Sequence, residues 1–264
     1  MKVLSDSEHL TMIDNLEMIV RSDRVYETVY DKDSKEVIEW TQYFSERANI
    51  PEIFSEISKR LLTKNYLHAE VVGTFWHHFS ALAPQVMSLA AARVDNNLMR
   101  HYIVQIIFEE LGTRNHRLIH PDLFLDAIES IGISSLRRQE LVARHLQKLG
   151  FNLLSQVMDE AKSNSEILGV LLGLEIDANE NIQTIFDALA YNDEATMKIK
   201  DTPFFKIHRI AEDEHIRLDV ANFLRFCQTE SEKEKFFLGF DKAVNFWTHY
   251  WNAMSEIIDS EAVV

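Results

Sequence analysis

A shortage of turn-forming residues is the strongest constraint that this sequence places on its fold. Only 7 glycines and 4 prolines occur among 264 residues, less than half the usual share of each. Sheet proteins need many tight turns, and those turns draw on Gly, Pro and Asn. Long helices need few such residues. The sequence therefore predicts an all-α fold and makes an all-β fold very unfavourable.

Composition and charge narrow the classes of function. Apolar residues make up 46% and charged residues 26% of the chain, the balance of a globular protein with a packed core. A formal net charge of −15 repels nucleic-acid phosphates and anionic lipid. The single cysteine, Cys227, cannot form an internal disulfide, and we find no signal peptide or bilayer-spanning stretch. We therefore expect a cytoplasmic protein that binds neither nucleic acid nor membrane.

No repeat, low-complexity tract or linker divides the chain, which favours a single domain over residues 1–264. Residues 1–64 are expected to form accessory helices, at about 5–20, from a cap at Ser34 to 47, and from Pro51 onward. Residues 65–230 are expected to form the core bundle. Its predicted helices, with Ser134 and Gly150 as boundary signals, lie at about 69–94, 97–117, 121–131, 135–148, 151–176, 178–191 and 203–228.

A long helix is predicted at about 231–259, within a C-terminal segment 231–264. Its apolar residues recur at alternating intervals of three and four, at Phe237, Phe240, Val244, Trp247, Trp251, Met254 and Ile258. Such a heptad seam is typical of a helix that packs along one partner surface. We interpret the partner as the core of the same chain, and a homodimer through this seam is the alternative.

One group of histidine and carboxylate residues lies around the C-terminal end of the predicted helix over 97–117. Glu109 precedes His116 by seven residues and His120 by eleven. On an ideal helix each interval returns to within about 20° of the same direction, so the three side chains would share one stripe. Gly112 and Pro121 are points where this helix can bend or end.

Two further groups fall within apolar helices. His208, Glu212 and His215 lie within about 60° of one another on a helix, and such nitrogen and oxygen donors suit Fe, Mn or Zn. Glu175 interrupts an apolar run, where an unpaired carboxylate would be costly. Any one of these motifs alone more often marks a solvated helix face. Together they supply roughly the ligand set of a carboxylate-bridged di-iron site in a helical bundle.

The order of these motifs resembles a known family. Glu109-Glu110-x-Gly, then His120-Pro-x-Leu-Phe, then Glu175, then His208-x3-Glu212-x2-His215 is similar to the haem-oxygenase-like di-iron oxidases. That family is described as iron-containing redox enzymes and is related in structure to the TenA and PqqC proteins. The resemblance covers roughly residues 65–230 and implies a haem-oxygenase-like helical bundle.

The resemblance also implies a set of metal ligands. They are Glu109, His120 (with His116 as the alternative), Glu175, His208, Glu212 and His215. His120 is preferred because the Pro, Leu and Phe that follow it match the flanking pattern too. His77, His78 and Glu110 are candidates for the pocket wall, although adjacent residues such as His77 and His78 cannot both face it.

The activity implied by the resemblance is that of a non-haem iron oxidase or oxygenase. Two irons per chain are favoured, with manganese as an alternative, and O2 is the co-substrate. The substrate would be a small organic molecule such as an amine, an amino acid or a fatty acid. An external electron donor fits such a reaction.

Four alternatives share the fold or the composition. A metal-free hydrolase of the TenA type needs a cysteine nucleophile, and Cys227 does not match its expected position. A haem-binding oxygenase needs a proximal histidine near the start of the fold, where His9 stands alone. A ferritin-like bundle needs two E-x-x-H motifs, whereas a suitable core helix offers only Glu212-x-x-His215. A non-catalytic helical binding protein is the remaining reading, and the complete ligand pattern argues against it.

Overall fold

Helices dominate residues 34–61 and 65–263, the part of the chain that this computed structural model describes. Short 3-10 helices at His116–Leu118 and Leu146–Leu149 lie in two of the connections. The α-helices are α1 Lys35–Ala48, α2 Ile50–Leu61, α3 Tyr66–Arg93, α4 Asn97–Glu110, α5 His120–Ser130, α6 Ser135–His145, α7 Phe151–Glu160, α8 Asn164–Glu175, α9 Ala178–Leu189, α10 Asp193–Ile199, α11 Pro203–Phe226 and α12 Glu230–Glu261. The all-α prediction is confirmed for these residues, and none of these helices has both the length and the apolar character needed to cross a membrane.

Local capping signals define several helix ends as predicted. The Ser34 side chain accepts a hydrogen bond from the backbone N–H of Val37 at 3.3 Å, and Ser134 does the same for Arg137 at 3.2 Å. Each bond satisfies a backbone donor that the first turn of a helix leaves without a partner. Gly150 has a φ of 72°, a left-handed conformation that glycine adopts without steric cost.

The predicted helix over 97–117 is wrong in its second half, because α4 ends at Glu110. Gly112 and Thr113 both have positive φ, 82° and 56°, and helical backbone cannot continue through such residues. The chain turns here, passes through a 3-10 helix and starts again as α5. Glu109, His116 and His120 therefore do not share the stripe of one continuous helix.

The predicted helix over 151–176 is also two helices, α7 and α8. Ser163 separates them because its side chain accepts a hydrogen bond from the backbone N–H of Glu166 at 3.2 Å and so caps α8. Helix α10 was not predicted, although Asn192 caps it in the same way through Ala195 at 2.8 Å.

The expected helix at 5–20 lies outside the described residues, and the division of the chain into segments 1–64, 65–230 and 231–264 stays a prediction.

Helices α8 and α12 form the most extensive contact between described helices. Glycines make this close approach possible. A Cβ added to Gly169 would collide with the backbone carbonyl of Phe236, and one added to Gly239 would collide with that of Glu166. Because both helices contribute a glycine, their backbones touch where side chains would otherwise hold them apart.

The seam of α12 packs into the core of its own chain, as predicted. Five of its seven apolar residues are buried, among them Trp247 and Trp251. The ring of Trp76 in α3 stacks on both of these, with centroids 5.8 and 6.4 Å away. The indole N–H of Trp247 also donates to the backbone carbonyl of Leu174 at 3.1 Å. This contact anchors the C-terminal end of α8.

We predict that Gly169→Ala lowers the free energy of unfolding by about 1–3 kcal/mol, because the added methyl group forces α8 away from α12. The melting temperature should fall by roughly 2–4 °C for each kcal/mol. Thermal unfolding followed by circular dichroism measures the change. Asn252→Ala, at an exposed position of α12, is the control and should cause no such fall. An unchanged melting temperature for Gly169→Ala would contradict this account of the contact.

Candidate metal centre

Three side chains from different helices converge inside the bundle. Glu110 at the end of α4, His120 at the start of α5 and His208 in α11 each offer a donor atom, and these three atoms all lie within 4.8 Å of one another. His120 Nδ1 lies 3.0 Å from Glu110 Oε1. The His120 and His208 rings are 4.6 Å apart between centroids.

The break between α4 and α5 places His120 in this cluster. After Glu110 the chain reverses through the turn at Gly112, and α5 begins at His120 with Pro121 in its first turn. Proline is tolerated at that position because the first N–H groups of a helix have no intrahelical partner. His120 is buried, whereas His116 is exposed on the intervening 3-10 helix. The structure therefore brings His120, and not His116, to Glu110.

His208 is held in one orientation as a neutral ring. Its Nδ1–H donates to the backbone carbonyl of Phe204 at 2.8 Å, so in this tautomer Nε2 carries the lone pair. Burial lowers the pKa of His208 to about 4. Metal-binding histidines commonly donate their second ring nitrogen to a carbonyl in this way, and they bind metal only when neutral.

Adjacent glutamates at the end of α4 have different surroundings. Glu110 is mostly buried in the cluster, and although burial alone would raise its pKa, contact with His120 and the nearby His208 and His215 lower it overall. Glu109 is half exposed, and its Oε2 lies 2.8 Å from His215 Nε2. Consecutive helical residues point about 100° apart, so only one of the two glutamates can face the cluster. The assignment of Glu109 as a ligand stays a prediction, and the structure puts Glu110 where that ligand was expected.

Glu175, the last residue of α8, faces the same interior space. It lines a cavity together with Glu110, His120 and His208. Burial raises the pKa of Glu175 to about 7; nearby His215 lowers it and Glu110 raises it. His215 is buried as well, and although burial would lower its pKa, Glu175, Glu109 and Glu110 raise it overall. Glu175 therefore lies close to His215 and shares a cavity with His120 and His208.

The remaining predicted site residues lie elsewhere or are not described. His77 and His78 are half-buried on α3, and His78 packs on the Phe151 ring with centroids 5.0 Å apart. The cavity wall includes their neighbours Trp76 and Phe79 but neither histidine, so their assignment to the pocket is not supported. Glu212 lies on α11 between His208 and His215, and its side chain is outside the described part of the structure.

One acidic residue of this region, Asp219, was not among the predicted site residues. Asp219 follows His215 by four residues on α11 and is buried, with 5% of its surface exposed. Burial and the nearby Glu175 raise the pKa of Asp219 to about 8, against the opposite effects of His215 and Asn222. The spacing of four residues places His215 and Asp219 on one helix face. This spacing is the feature of the sequence from which Asp219 could have been predicted as a site residue.

The donor atoms of the cluster fit a metal ion. His120 Nδ1 is buried and makes no hydrogen bond, even though a carboxylate oxygen lies 3.0 Å away. A buried polar atom without a partner is costly, and a cation between this nitrogen and the carboxylate would satisfy both. One carboxylate and two imidazoles are a donor set that suits iron, manganese or zinc.

Cys227 has none of the features of a catalytic nucleophile. It is buried at the end of α11, and burial raises the pKa of its thiol to about 11. A nucleophilic cysteine needs a lowered pKa so that the thiolate is populated. Cys227 also does not line the cavity beside Glu110, His120 and His208. These observations disfavour the cysteine-dependent hydrolase.

An all-α bundle with a buried cluster of histidines and carboxylates defines a class of helical metalloproteins, and comparison with known proteins identifies the family. Residues 70–248 match the family described as iron-containing redox enzymes. This match covers more than half of the chain, so the chain belongs to that family. The resemblance noted from the sequence motifs is thereby confirmed.

The family match confirms the haem-oxygenase-like fold, and solved structures share this fold. A CADD-like protein of unknown function from Nostoc punctiforme matches with a TM-score of 0.60 and 16% sequence identity, over 83% of this chain and 98% of that one. A second crystal structure of the same protein matches with a TM-score of 0.61 and 14% identity, over 86% and 99%. At these identities the similarity concerns the fold alone. Among curated proteins, no relative matches this sequence.

We predict that Glu175→Gln stabilises the metal-free protein at pH 8. The raised pKa means that the folded state holds the proton more tightly than the unfolded state, so the stabilisation present below about pH 4.5 is lost as the pH rises through about 7. Glutamine removes this loss, on the order of 3 kcal/mol. Chemical unfolding of both proteins at pH 8 and pH 4.5 measures it, and the difference should vanish at pH 4.5.

Glu180→Gln is the matched control, because Glu180 is exposed on the following helix. It should change the free energy of unfolding little at either pH. If Glu175→Gln were equally stabilising at pH 4.5 and pH 8, the effect would not come from a buried carboxylate charge.

Proposed function

We propose that this protein is a non-haem iron oxidase or oxygenase that reacts with O2 and oxidises a small, largely apolar organic substrate. The observation that carries the proposal is the convergence of Glu110, His120 and His208 at the wall of an apolar cavity. Membership in a family of iron-containing redox enzymes supports iron as the metal, with manganese as the alternative. Two ions per chain are proposed, since Glu175 and His215 lie next to the cluster of three.

The chain's own residues prepare the site for a cation. His208 is kept neutral by burial and oriented by the Phe204 carbonyl, and contact with His120 lowers the pKa of Glu110. Iron bound there would supply the redox chemistry with O2. Glu175 can hold or release a proton on its carboxylate near neutral pH, because its pKa is about 7. Apolar residues around these groups exclude bulk water, which strengthens every electrostatic interaction among them.

The cavity limits the size and polarity of the substrate. Its space for the centres of water-sized spheres is about 70 Å³, room for roughly five to seven water molecules. Its wall is formed largely by apolar side chains, including Trp76, Phe79, Met87, Phe204 and Trp247. A small molecule with a mainly hydrocarbon body fits this space. We propose that an external electron donor completes the reaction.

Ser80 gives the cavity wall a polar point on α3. Its hydroxyl is buried and makes no hydrogen bond within the described structure, and the residue lines the cavity. A buried hydroxyl gains free energy when a ligand supplies the missing hydrogen bond. We therefore propose that the substrate carries one hydrogen-bonding group that Ser80 contacts while its apolar body packs on the aromatic rings.

We predict that His120→Ala and His208→Ala lose most of the iron that the unaltered protein binds after anaerobic loading with ferrous iron. Each variant removes one of three converging donors, and loss of a ligand weakens metal binding steeply. Iron per chain is measured by elemental analysis, with circular dichroism to verify the helical fold. Glu110→Gln should behave in the same way.

His116→Ala and Glu109→Gln are the matched controls. Because His116 is exposed, the His116→Ala variant should retain its full iron content. The Glu109→Gln variant should lose less iron than Glu110→Gln. A pulse of O2 into the ferrous protein should produce a transient visible absorption. Absence of iron from the unaltered protein after loading would refute the proposed function.

We predict that Ser80→Ala weakens the binding of a small alcohol but not of a hydrocarbon. In the iron-loaded protein, 1-pentanol and toluene should each raise the melting temperature by filling the cavity. Loss of one hydrogen bond, worth about 0.5–1.5 kcal/mol, should reduce the 1-pentanol shift and leave the toluene shift unchanged. Ser88→Ala is the control, because that exposed hydroxyl donates to the Pro84 carbonyl at 2.7 Å. Equal losses for both ligands would exclude a hydrogen-bonding role of Ser80.

A further inference from the structure

A second, much smaller cavity shares Met87, Leu174 and Glu175 with the larger one. It offers about 10 Å³ to the centres of water-sized spheres, roughly the space of a single water molecule or ion. Five apolar side chains and two carboxylates line it: Met87, Ile103, Ile106, Leu171, Leu174, Glu175 and Asp219. No described lysine or arginine is among them. Two buried acidic groups therefore share a space of atomic size within an apolar wall.

Asp219 contributes to this cavity a carboxylate oxygen that lacks a hydrogen bond. It is 5% exposed, and its Oδ2 is buried without a hydrogen bond. A buried carboxyl oxygen in such surroundings needs a hydrogen-bond donor, and the ionised carboxylate is stabilised by a cation. The apolar walls offer Oδ2 neither, so the requirement falls on whatever occupies the cavity.

Glu175 lines both cavities. On one side it shares the larger cavity with Glu110, His120 and His208, and on the other it shares the small cavity with Asp219. A carboxylate has two oxygens and can contact a cation on each side. Glu175 thus connects the cluster of three donors to the second acidic space.

We infer that Asp219 is a metal-binding residue, whose carboxylate holds a divalent cation in the small cavity together with Glu175. This inference rests on the proposed function and adds to it a ligand that the sequence motifs do not contain. Among the described side chains, only Glu110, His120 and His208 form a group of three whose donor atoms lie within 4.8 Å. Asp219 and Glu175 form a second acidic site, and no third described histidine or carboxylate completes a group of that spacing with them.

His215 is placed to take part in this second site. It is buried on the same face of α11 as Asp219, four residues earlier. Its Nε2 contacts Glu109, which is half exposed, so this partner can move into solvent without a burial penalty. A cation held by Asp219 and Glu175 would compete with Glu109 for the same imidazole.

Asp219→Asn tests the inference, because asparagine keeps the shape of the side chain and removes its charge. Ferrous iron is titrated anaerobically into the unaltered protein and the variant, and bound iron per chain is counted. We expect two ions in the unaltered protein, and in the variant one ion retained and the second weakened by at least about tenfold. Manganese(II) with electron paramagnetic resonance provides an independent readout. The coupled spectrum of two neighbouring ions should become the six-line spectrum of one.

Asp177→Asn is the matched control. Asp177 is another buried aspartate with an oxygen that lacks a hydrogen bond, but it lines neither cavity. It should retain two ions. Equal loss of one ion from Asp177→Asn and Asp219→Asn would overturn the inference by showing a general effect of buried charge.

Other outcomes separate this inference from the proposed function. Two ions bound by Asp219→Asn with unchanged affinity would show that Asp219 has no role in metal binding and would overturn the inference. One ion in the unaltered protein, lost in His208→Ala but not in Asp219→Asn, would overturn the inference and leave the iron proposal intact. No iron in the unaltered protein would overturn both.

Discussion

Acidic side chains are buried among apolar helices, and the packing around them follows from that burial. Helix α8 is buried from Ser165 to Leu174 and ends at Glu175, whose carboxylate projects into the interior. This placement requires α12 to run directly along α8, which glycines such as Gly169 and Gly239 permit. The hydrogen bond from Trp247 to the Leu174 carbonyl then holds the end of α8 beside the cavity. Close helix packing and the acidic site are parts of one arrangement.

Such an arrangement costs stability in the metal-free chain. Burial raises the pKa of Glu175 to about 7 and that of Asp219 to about 8, while it lowers the pKa of His208 to about 4. Each shift disfavours the charged form, and charged carboxylates with neutral imidazoles are what a metal ion requires. A bound cation would therefore offset the cost of burying the carboxylates. Unfavourable burial of this kind is typical of functional sites.

Much of the fold and part of the site could be predicted from the sequence. Caps at Ser34 and Ser134 and the stop at Gly150 act through local backbone geometry, so they could be read directly. His208 and His215 were found because their spacing on one helix is independent of packing. The choice of Glu110 over Glu109 could not be predicted, because it depends on the rotation of α4 relative to α11. Asp219 was not predicted, because an acidic residue is expected on the solvent-exposed face of a helix unless its neighbours in the fold are known.

The helical class, most helix positions and the residue types available for a metal site can be predicted from the sequence alone. Those properties follow from local rules: few turn residues, apolar periodicity and capping side chains. Which acids and histidines meet depends instead on how the helices pack. His120 joins Glu110 because the turn at Gly112 reverses the chain, and Asp219 shares a cavity with Glu175 because α8 packs beside α11. Such contacts join residues far apart in the sequence, and the direction of each side chain is set by helix packing, which no local pattern encodes.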